Sequence, residues 1–287
     1  MRLLEMEPLK NHTTFRIGGA ARYYAVPENA DEIKETIQFA KGKNLPYLTI
    51  GRGSNILFPD DGYPGVVIEI GSGMEKIEIL EKGRVRAQAG VALSTLASIV
   101  ARQSLTGFEF AGGIPGTLGG AVTMNAGAYG GEIKDCIETA TVMNDAGEIR
   151  VLSKEELELG YRSSVIQKKG YLVLEAVFCF DEGDRETILA RMRELNAKRR
   201  EKQPLEFASA GSTFKRPEGY FAGKLIEDSG LKGYRIGDAQ VSEKHCGFVI
   251  NRGNATAAEV LRVIEDVQKK VYETFGVRLE PEVKVIQ

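Results

Sequence analysis

Tryptophan is absent from the 287 residues, histidine occurs twice and cysteine three times. Each shortage closes a route. His12 and His245 have no cysteine partner at ligand spacing, so a zinc site is not expected. Cys136, Cys179 and Cys246 are far apart, odd in number and form no CxxC pair, which points to three free thiols in reducing surroundings. No run is apolar enough to cross a bilayer, and the opening MRLLEMEPLKNHTTF carries acids where a signal peptide needs an apolar stretch. Like charges form no long block and the net charge is -2, which argues against a nucleic-acid or membrane patch. A cytosolic globular protein is expected, 43% hydrophobic and long enough for about two domains.

Helix and strand signals alternate along the chain. NADEIKETIQFAKG (29–42) puts Ile33, Ile37 and Ala40 on one face, with acids in its first turn. YLTI then delivers a tight turn, GRGSN (51–55). Short strand patterns follow at VVIEI, KIEIL and RVRAQAG, with a helical pattern at 93–103 and a hairpin over 141–152. Ser153 and Glu156 have the spacing of a capping box opening a short helix. YLVLEAVFCF (171–180) is the strongest strand signal. A helix over 184–204 is basic in its second half and stops before Pro204. Beyond it come a short helix, a strand at CGFVIN, and an amphipathic helix from Thr256 to Phe275. Val260, Ile264, Val267 and Val271 form its stripe and Gly276 ends it. RLEPEVKVI reads as a closing strand. The class is α+β, with a boundary near residue 200.

What the chain has in quantity is glycine, concentrated in GGIPGTLGGAVTMNAGAYGG (112–131), where it fills eight of twenty positions. Glycine carries the largest backbone entropy cost on folding, so such density needs a reason. A tight linker between strands is one reason. The other is an anion or cofactor pressed against the main chain, although neither GxxxxGK[ST] nor GxGxxG is present. Thr117, Thr123 and Asn125 add small polar groups, and GRGSN is a second such turn. Two turns meeting in space favour a long phosphate-bearing cofactor.

The blocks NHTTFRIGG (11–19), GRGSN, GIPGTLGGAVTMNAGAYG, GYRSS (160–164), AGSTFKRP (210–217), GDAQVSEKHCGFVIN (237–251) and LEPEV (279–283) follow one another in this order. Together they resemble the UDP-N-acetylenolpyruvoylglucosamine reductases, bacterial flavoenzymes that make the muramic acid precursor of peptidoglycan. The resemblance implies a two-subdomain FAD-binding module of the vanillyl-alcohol-oxidase type and a C-terminal α+β substrate domain. The corresponding spans are residues 1–60, 61–200 and 201–287. It further implies non-covalent FAD held by Gly51, Arg52, Gly53, Ser54 and Asn55. From the longer run come Gly113, Ile114, Pro115, Gly116, Thr117, Gly119, Gly120, Thr123, Asn125 and Gly127. Only a few residues separate Arg162 from Tyr171, so the chain is similar to the shorter type, which lacks an inserted tyrosine loop. Where that family often has FKNP, this chain has Arg216.

In the reaction so implied, NADPH supplies a hydride by way of FAD to C3 of the enolpyruvyl group of UDP-N-acetylglucosamine enolpyruvate. A proton must then reach C2. A cation and an acid are needed to stabilise the enolate, and a donor is needed for the proton. The resemblance assigns Arg162 and Glu282 to the first task and Ser212 to the second. Lys215 and Arg216 are the candidates for the UDP diphosphate, with His245 as a further substrate contact. Taken singly, each has a plainer account. Arg162 reads as a solvated or cap-binding arginine, Glu282 as an exposed strand position, Ser212 as a turn serine and His245 as a structural hydrogen-bonder. Cys246 reads as a small buried hydrophobe, and Tyr23 and Tyr24 as packing groups. An alcohol or lactone oxidase on the same cofactor fold, and a non-catalytic nucleotide-binding module, are the competing readings.

Overall fold

Asn29 starts the first helix because its side chain accepts the Glu32 amide at 3.0 Å, satisfying a donor that helical bonding leaves open. In this computed structural model, which describes residues 2–287, that helix is α1 (Ala30–Gly42). The others are α2 (Leu93–Arg102), α3 (Leu118–Thr123), α4 (Ile133–Cys136), α5 (Val165–Lys169), α6 (Arg185–Lys202), α7 (Ala222–Asp228) and α8 (Ala257–Phe275). No helix among the described residues is long and apolar enough to cross a membrane.

The chain divides into two compact units. The first holds Tyr24–Arg52 and Gly65–Arg199, with the N-terminal residues up to Leu4. Its main sheet has five antiparallel strands in the order 149–153, 137–143, 172–179, 84–88, 77–79. The strand expected at 171–180 is thus central, and its alternation of inward Leu172, Leu174, Ala176 and Phe178 explains why. Phe108, Phe178 and Phe180 cluster with ring centroids 5.5–6.0 Å apart and close this core. The hairpin expected over 141–152 forms, turning at Gly147. The strand Tyr47–Ile50 runs parallel to 66–69 and ends at Gly51, the first glycine of GRGSN.

The second unit takes Arg200–Gln287 together with Glu5–Tyr23 and Gly53–Pro64. Sequence reading did not bring those two early segments to the C-terminal third. The reason is visible at Asp60, whose carboxylate accepts the Ala257 and Ala258 amides at 2.7 and 3.0 Å. It satisfies two orphan donors at the positive end of α8. Thr256 and Glu259 add a reciprocal cap, and Gly276 ends the helix in the left-handed region, as expected. Val260, Val263, Ile264, Val267 and Val271 of α8 are buried against Leu57, Phe214, Leu225 and Ile226. Truncating Ile264 to alanine would cost about 2–5 kcal/mol.

Two expectations need correction. Ser153 and Glu156 do make the reciprocal bonds, amide to Oε2 at 2.9 Å and amide to Oγ at 3.3 Å. No helix follows, because the chain leaves through a left-handed Glu158 and returns the Val165 amide to the Leu157 carbonyl. The closing strand is also short. Only Lys284–Val285 is a strand, parallel to Ile56–Leu57, and Glu280 and Glu282 are held instead by single bonds to residues 213–215.

Candidate active site

In the first unit Gly51, which opens the GRGSN turn, meets Thr117 of the longer run. A Cβ on Gly51 would run into the Thr117 hydroxyl, so only a hydrogen there lets the GRGSN turn lie on the longer run. Gly53, which belongs to the second unit, has φ +58°, and a Cβ there would strike the His12 carbonyl. Both glycines are demanded by close backbone approach.

The longer run is less uniformly open than its composition implies. Gly116 gives its carbonyl to the Leu93 amide at 3.1 Å, and the Ile114 amide, after Gly113 and before Pro115, folds back to Ala111. At the start of α3 the Leu118 and Gly119 amides already donate to Val91 and Ala89, at 2.8 and 2.9 Å. A Cβ on Gly119 would stand 3.0 Å from that of Ala89. Gly119 is therefore a packing glycine, and neither it nor Gly120 has a positive φ. Gly120 is different. Nothing lies within 4 Å of its missing side chain except Thr117 Oγ1 at 3.9 Å. The protein's own packing does not require a glycine there, so the open space at Gly120 is where an external group can approach the main chain.

Arg162 is fixed to this run through buried polar bonds. Asn125 is fully buried, with φ 45°, and its amide donates to Glu132 Oε2 and to the Gly160 carbonyl, each at 2.9 Å. Its oxygen accepts the Lys134 amide at 2.9 Å. Thr123 offers its carbonyl to Ser164 Oγ at 2.5 Å and to Gln167 Nε2 at 2.9 Å. The YRSS turn is thereby tied to the glycine run at both of its ends. Between them Arg162 takes a left-handed conformation, φ 52°, with Nη2 3.4 Å from the Gly127 carbonyl and Cζ 5.1 Å above the Tyr161 ring. Ser164 caps α5 and Gly170 ends it, so this one short helix fills the span to the central strand.

In the second unit Ser212 is exposed beside a buried Thr213. Thr213 donates its amide to Gly247, receives the Val249 amide on Oγ1, and gives its carbonyl to the Glu282 amide, at 2.8, 2.9 and 2.8 Å. The Glu282 carbonyl in turn receives Asn55 Nδ2 at 3.0 Å, and Asn55 accepts the Lys284 amide at 2.9 Å. Thr213 thus brings the Ser212 and Glu282 backbones together, and Asn55 joins a glycine-turn residue to them. Sequence reading passed over Thr213; its only signal was a second hydroxyl beside Ser212.

Lys215 pairs with Glu280 at 3.1 Å on the surface, a contact worth little. Arg216 lies with Cζ 4.0 Å over the exposed Phe221 ring, and its Nε donates to the Tyr220 carbonyl at 3.3 Å. His245 receives the Gly247 amide on Nδ1 at 3.1 Å, which leaves the proton of the neutral ring on Nε2. Burial holds its imidazole below the ordinary range. Cys246 is buried and burial raises its thiol, as for Cys136, pushed up to about 12. Neither is poised as a nucleophile.

Comparison with known proteins follows the same division of labour. Residues 21–153 match the FAD binding domain, and residues 203–286 match the C-terminal domain of UDP-N-acetylenolpyruvoylglucosamine reductase. The enzyme of that name from Lachnoclostridium phytofermentans is 58% identical over 283 residues, covering 98% of this chain and 91% of its own. The chain belongs to the UDP-N-acetylenolpyruvoylglucosamine reductase family. The reductase from Agathobacter rectalis is 55% identical over 99% of this chain and 94% of its own. The crystal structure of the Thermus caldophilus reductase agrees at a TM-score of 0.85 and 37% identity, covering 100% of this chain and 98% of that one. The α+β class and the order, an FAD-binding module followed by the reductase C-terminal domain, are as the sequence implied. The residues suit FAD, since the main chain at Gly120 is open to a cofactor, and Gly51 packs on the nearby Thr117 only because it lacks a side chain.

Proposed function

We propose that the protein is an NADPH-dependent flavoenzyme of the cytoplasm that reduces UDP-N-acetylglucosamine enolpyruvate to UDP-N-acetylmuramate. What carries this reading is family membership along nearly the whole chain, the reductase-specific C-terminal domain included. Bound FAD would supply the means of passing a hydride from nicotinamide to carbon. Gly51, Gly53 and the 113–127 run, Gly120 above all, are the residues that would hold it.

The chain's own contribution is the charge and the proton. Hydride addition at C3 leaves negative charge spread from C2 into the adjoining carboxylate. Arg162 would oppose that charge, and Glu282 would serve as the acid. Ser212 would deliver the proton to C2. Its exposure suits a group that must meet a ligand, and the three bonds made by Thr213 fix its backbone. Lys215 and Arg216 would take the diphosphate, Arg216 already stiffened by its stacking on Phe221. His245 would donate from Nε2.

The test is an anaerobic titration in two stages. The yellow protein should bleach with NADPH alone and regain its colour with the enolpyruvyl sugar nucleotide. Denaturation should release the flavin through a membrane filter. Bleaching by an alcohol but not by NADPH would establish the oxidase instead, and bound flavin that never turns over would leave a binding module.

A further inference from the structure

Glu282 stands in a stretch with little sheet to hold it. Only Lys284–Val285 is paired, parallel to Ile56–Leu57, and the chain bends at Val283. Ahead of Glu282 the grip is dense. The Leu279 carbonyl accepts Gln268 Nε2 at 2.8 Å, the Glu280 carbonyl accepts the Lys215 amide at 2.8 Å, and Pro281 bridges to Phe214. The Thr213 carbonyl then takes the amides of Glu282 and Val283, at 2.8 and 3.5 Å. The peptide that follows Glu282 is fixed by a side chain 227 residues away in sequence. Asn55 Nδ2 donates to the Glu282 carbonyl at 3.0 Å, and the Asn55 carbonyl accepts the Lys284 amide at 2.9 Å.

The backbone at 55 does not explain why the residue is asparagine. Asn55 lies outside the left-handed region, where asparagine is enriched, and its main-chain bond to Lys284 is open to any residue. Only the carboxamide reaches Glu282. That bond is a neutral N–H to carbonyl pair, which an aspartate would turn into two facing acceptors. Its loss would free the Glu282–Val283 peptide to rotate and carry the Glu282 side chain with it. An acid that must meet a developing charge tolerates little displacement, since a misplacement of about 1 Å costs about 10²-fold in rate.

We propose that Asn55 is a positioning residue for the reduction of the enolpyruvyl group, acting through Glu282 by holding its peptide, and that its side chain is not a cofactor contact. The inference rests on the proposed role of Glu282 as the acid. The GRGSN turn then has two duties. Its glycines allow close backbone approach, and its last residue sets the acid used in the second half-reaction.

The experiment uses the full-length flavoprotein as wild type, Asn55→Ala, Glu282→Gln and the double variant. Stopped-flow absorbance follows bleaching by NADPH and reoxidation by the enolpyruvyl sugar nucleotide over a range of nucleotide concentrations. FAD affinity is measured by fluorescence on refilling stripped protein. Asn55→Ala should bind FAD and bleach as wild type does. Its reoxidation at saturating nucleotide should slow on the order of 10- to 100-fold, with the half-saturating concentration little changed. On the Glu282→Gln background the same substitution should slow reoxidation no further, because the side chain it places can no longer give up a proton. Asn55→Leu, close to asparagine in shape but without a donor, should repeat the Asn55→Ala result. Losses that multiply in the double variant would make the asparagine merely structural, and weakened FAD in both backgrounds would make it a cofactor contact. Either result overturns the assignment, as does wild-type reoxidation in Asn55→Ala and Asn55→Leu. Wild-type reoxidation in Glu282→Gln would remove the acid and Asn55 with it. A wild-type protein that NADPH bleaches but the nucleotide does not reoxidise would overturn the proposed function itself.

Discussion

The two units hold their candidate catalytic groups by different means. Arg162 sits in a turn closed by reciprocal Gly160 and Ser163 backbone bonds, and side chains, those of Asn125, Ser164 and Gln167, anchor that turn to the glycine run. Ser212 and Glu282 are placed largely by main chain, through Thr213, Gly247 and Asn55 carbonyls and amides. A backbone lattice survives replacement of the side chain it presents, whereas an anchor made by one buried asparagine is lost with that asparagine. Chemistry in the second unit should therefore be separable from folding by point mutation. In the first unit the Arg162 turn and its anchor should fail together.

The largest effect tests the second unit. Ser212→Ala removes a hydroxyl and leaves every Thr213 bond in place. Flavin binding and bleaching by NADPH should be near normal, while reoxidation by the enolpyruvyl nucleotide falls about 10²–10⁴-fold. Stopped-flow absorbance separates the two halves. Normal reoxidation would remove Ser212 from the proton-donor role.

Next comes the glycine run, where two adjacent positions should behave differently. Gly120→Val puts its side chain into open space and should give a folded protein that has lost its flavin. Gly119→Val forces methyl groups onto Ala89, and overpacking of that kind costs about 1–3 kcal/mol, so this variant should also melt lower. Full flavin occupancy in Gly120→Val would mean that its open face is not the cofactor's.

Asn125→Ala tests the frame itself. It leaves the Lys134 amide without its acceptor and takes one of two donors from the Gly160 carbonyl, which keeps the Ser163 amide; an unsatisfied polar group of this kind costs about 1–3 kcal/mol. It also removes a residue type that tolerates φ 45°. Thermal unfolding should shift downward, and reoxidation by substrate should slow with it because the Arg162 turn loses an anchor to the glycine run. Unchanged stability would show that the turn stands without Asn125.

Much of this was legible beforehand. The acidic first turn of α1, the stripe of α8 and the strand pattern at 171–180 are local signals, and local structure obeyed them. The site was legible through ordered blocks rather than through any one residue. What escaped depended on contacts distant in sequence. Asp60 drew an early loop onto α8, and Arg199 came to lie on Gly113. The capping box at Ser153 formed its bonds without a helix, since a cap settles where a helix can begin but not whether the next turn is packed.

The smallest effect concerns pH and belongs to the second unit. Burial holds the His245 imidazole below its ordinary 6.5, so the folded state takes up a proton less readily than the unfolded chain. The contribution to stability is then complete above 6.5 and is lost as pH falls through the depressed folded value. His245→Gln cannot titrate, so unfolding midpoints in urea, measured from pH 7.5 down to 5, should decline less steeply than in wild type. Carboxylates titrate mostly below that window and contribute alike to both proteins. The ring also sits between Gly223 and Gly247, so a uniform loss of stability at all pH values would report lost packing and would leave the difference in slope as the diagnostic quantity. Equal slopes would mean that His245 is solvated enough to charge freely in the folded protein. Its Nε2 would then meet substrate as part of an imidazolium at low pH, not as the neutral donor assigned to it.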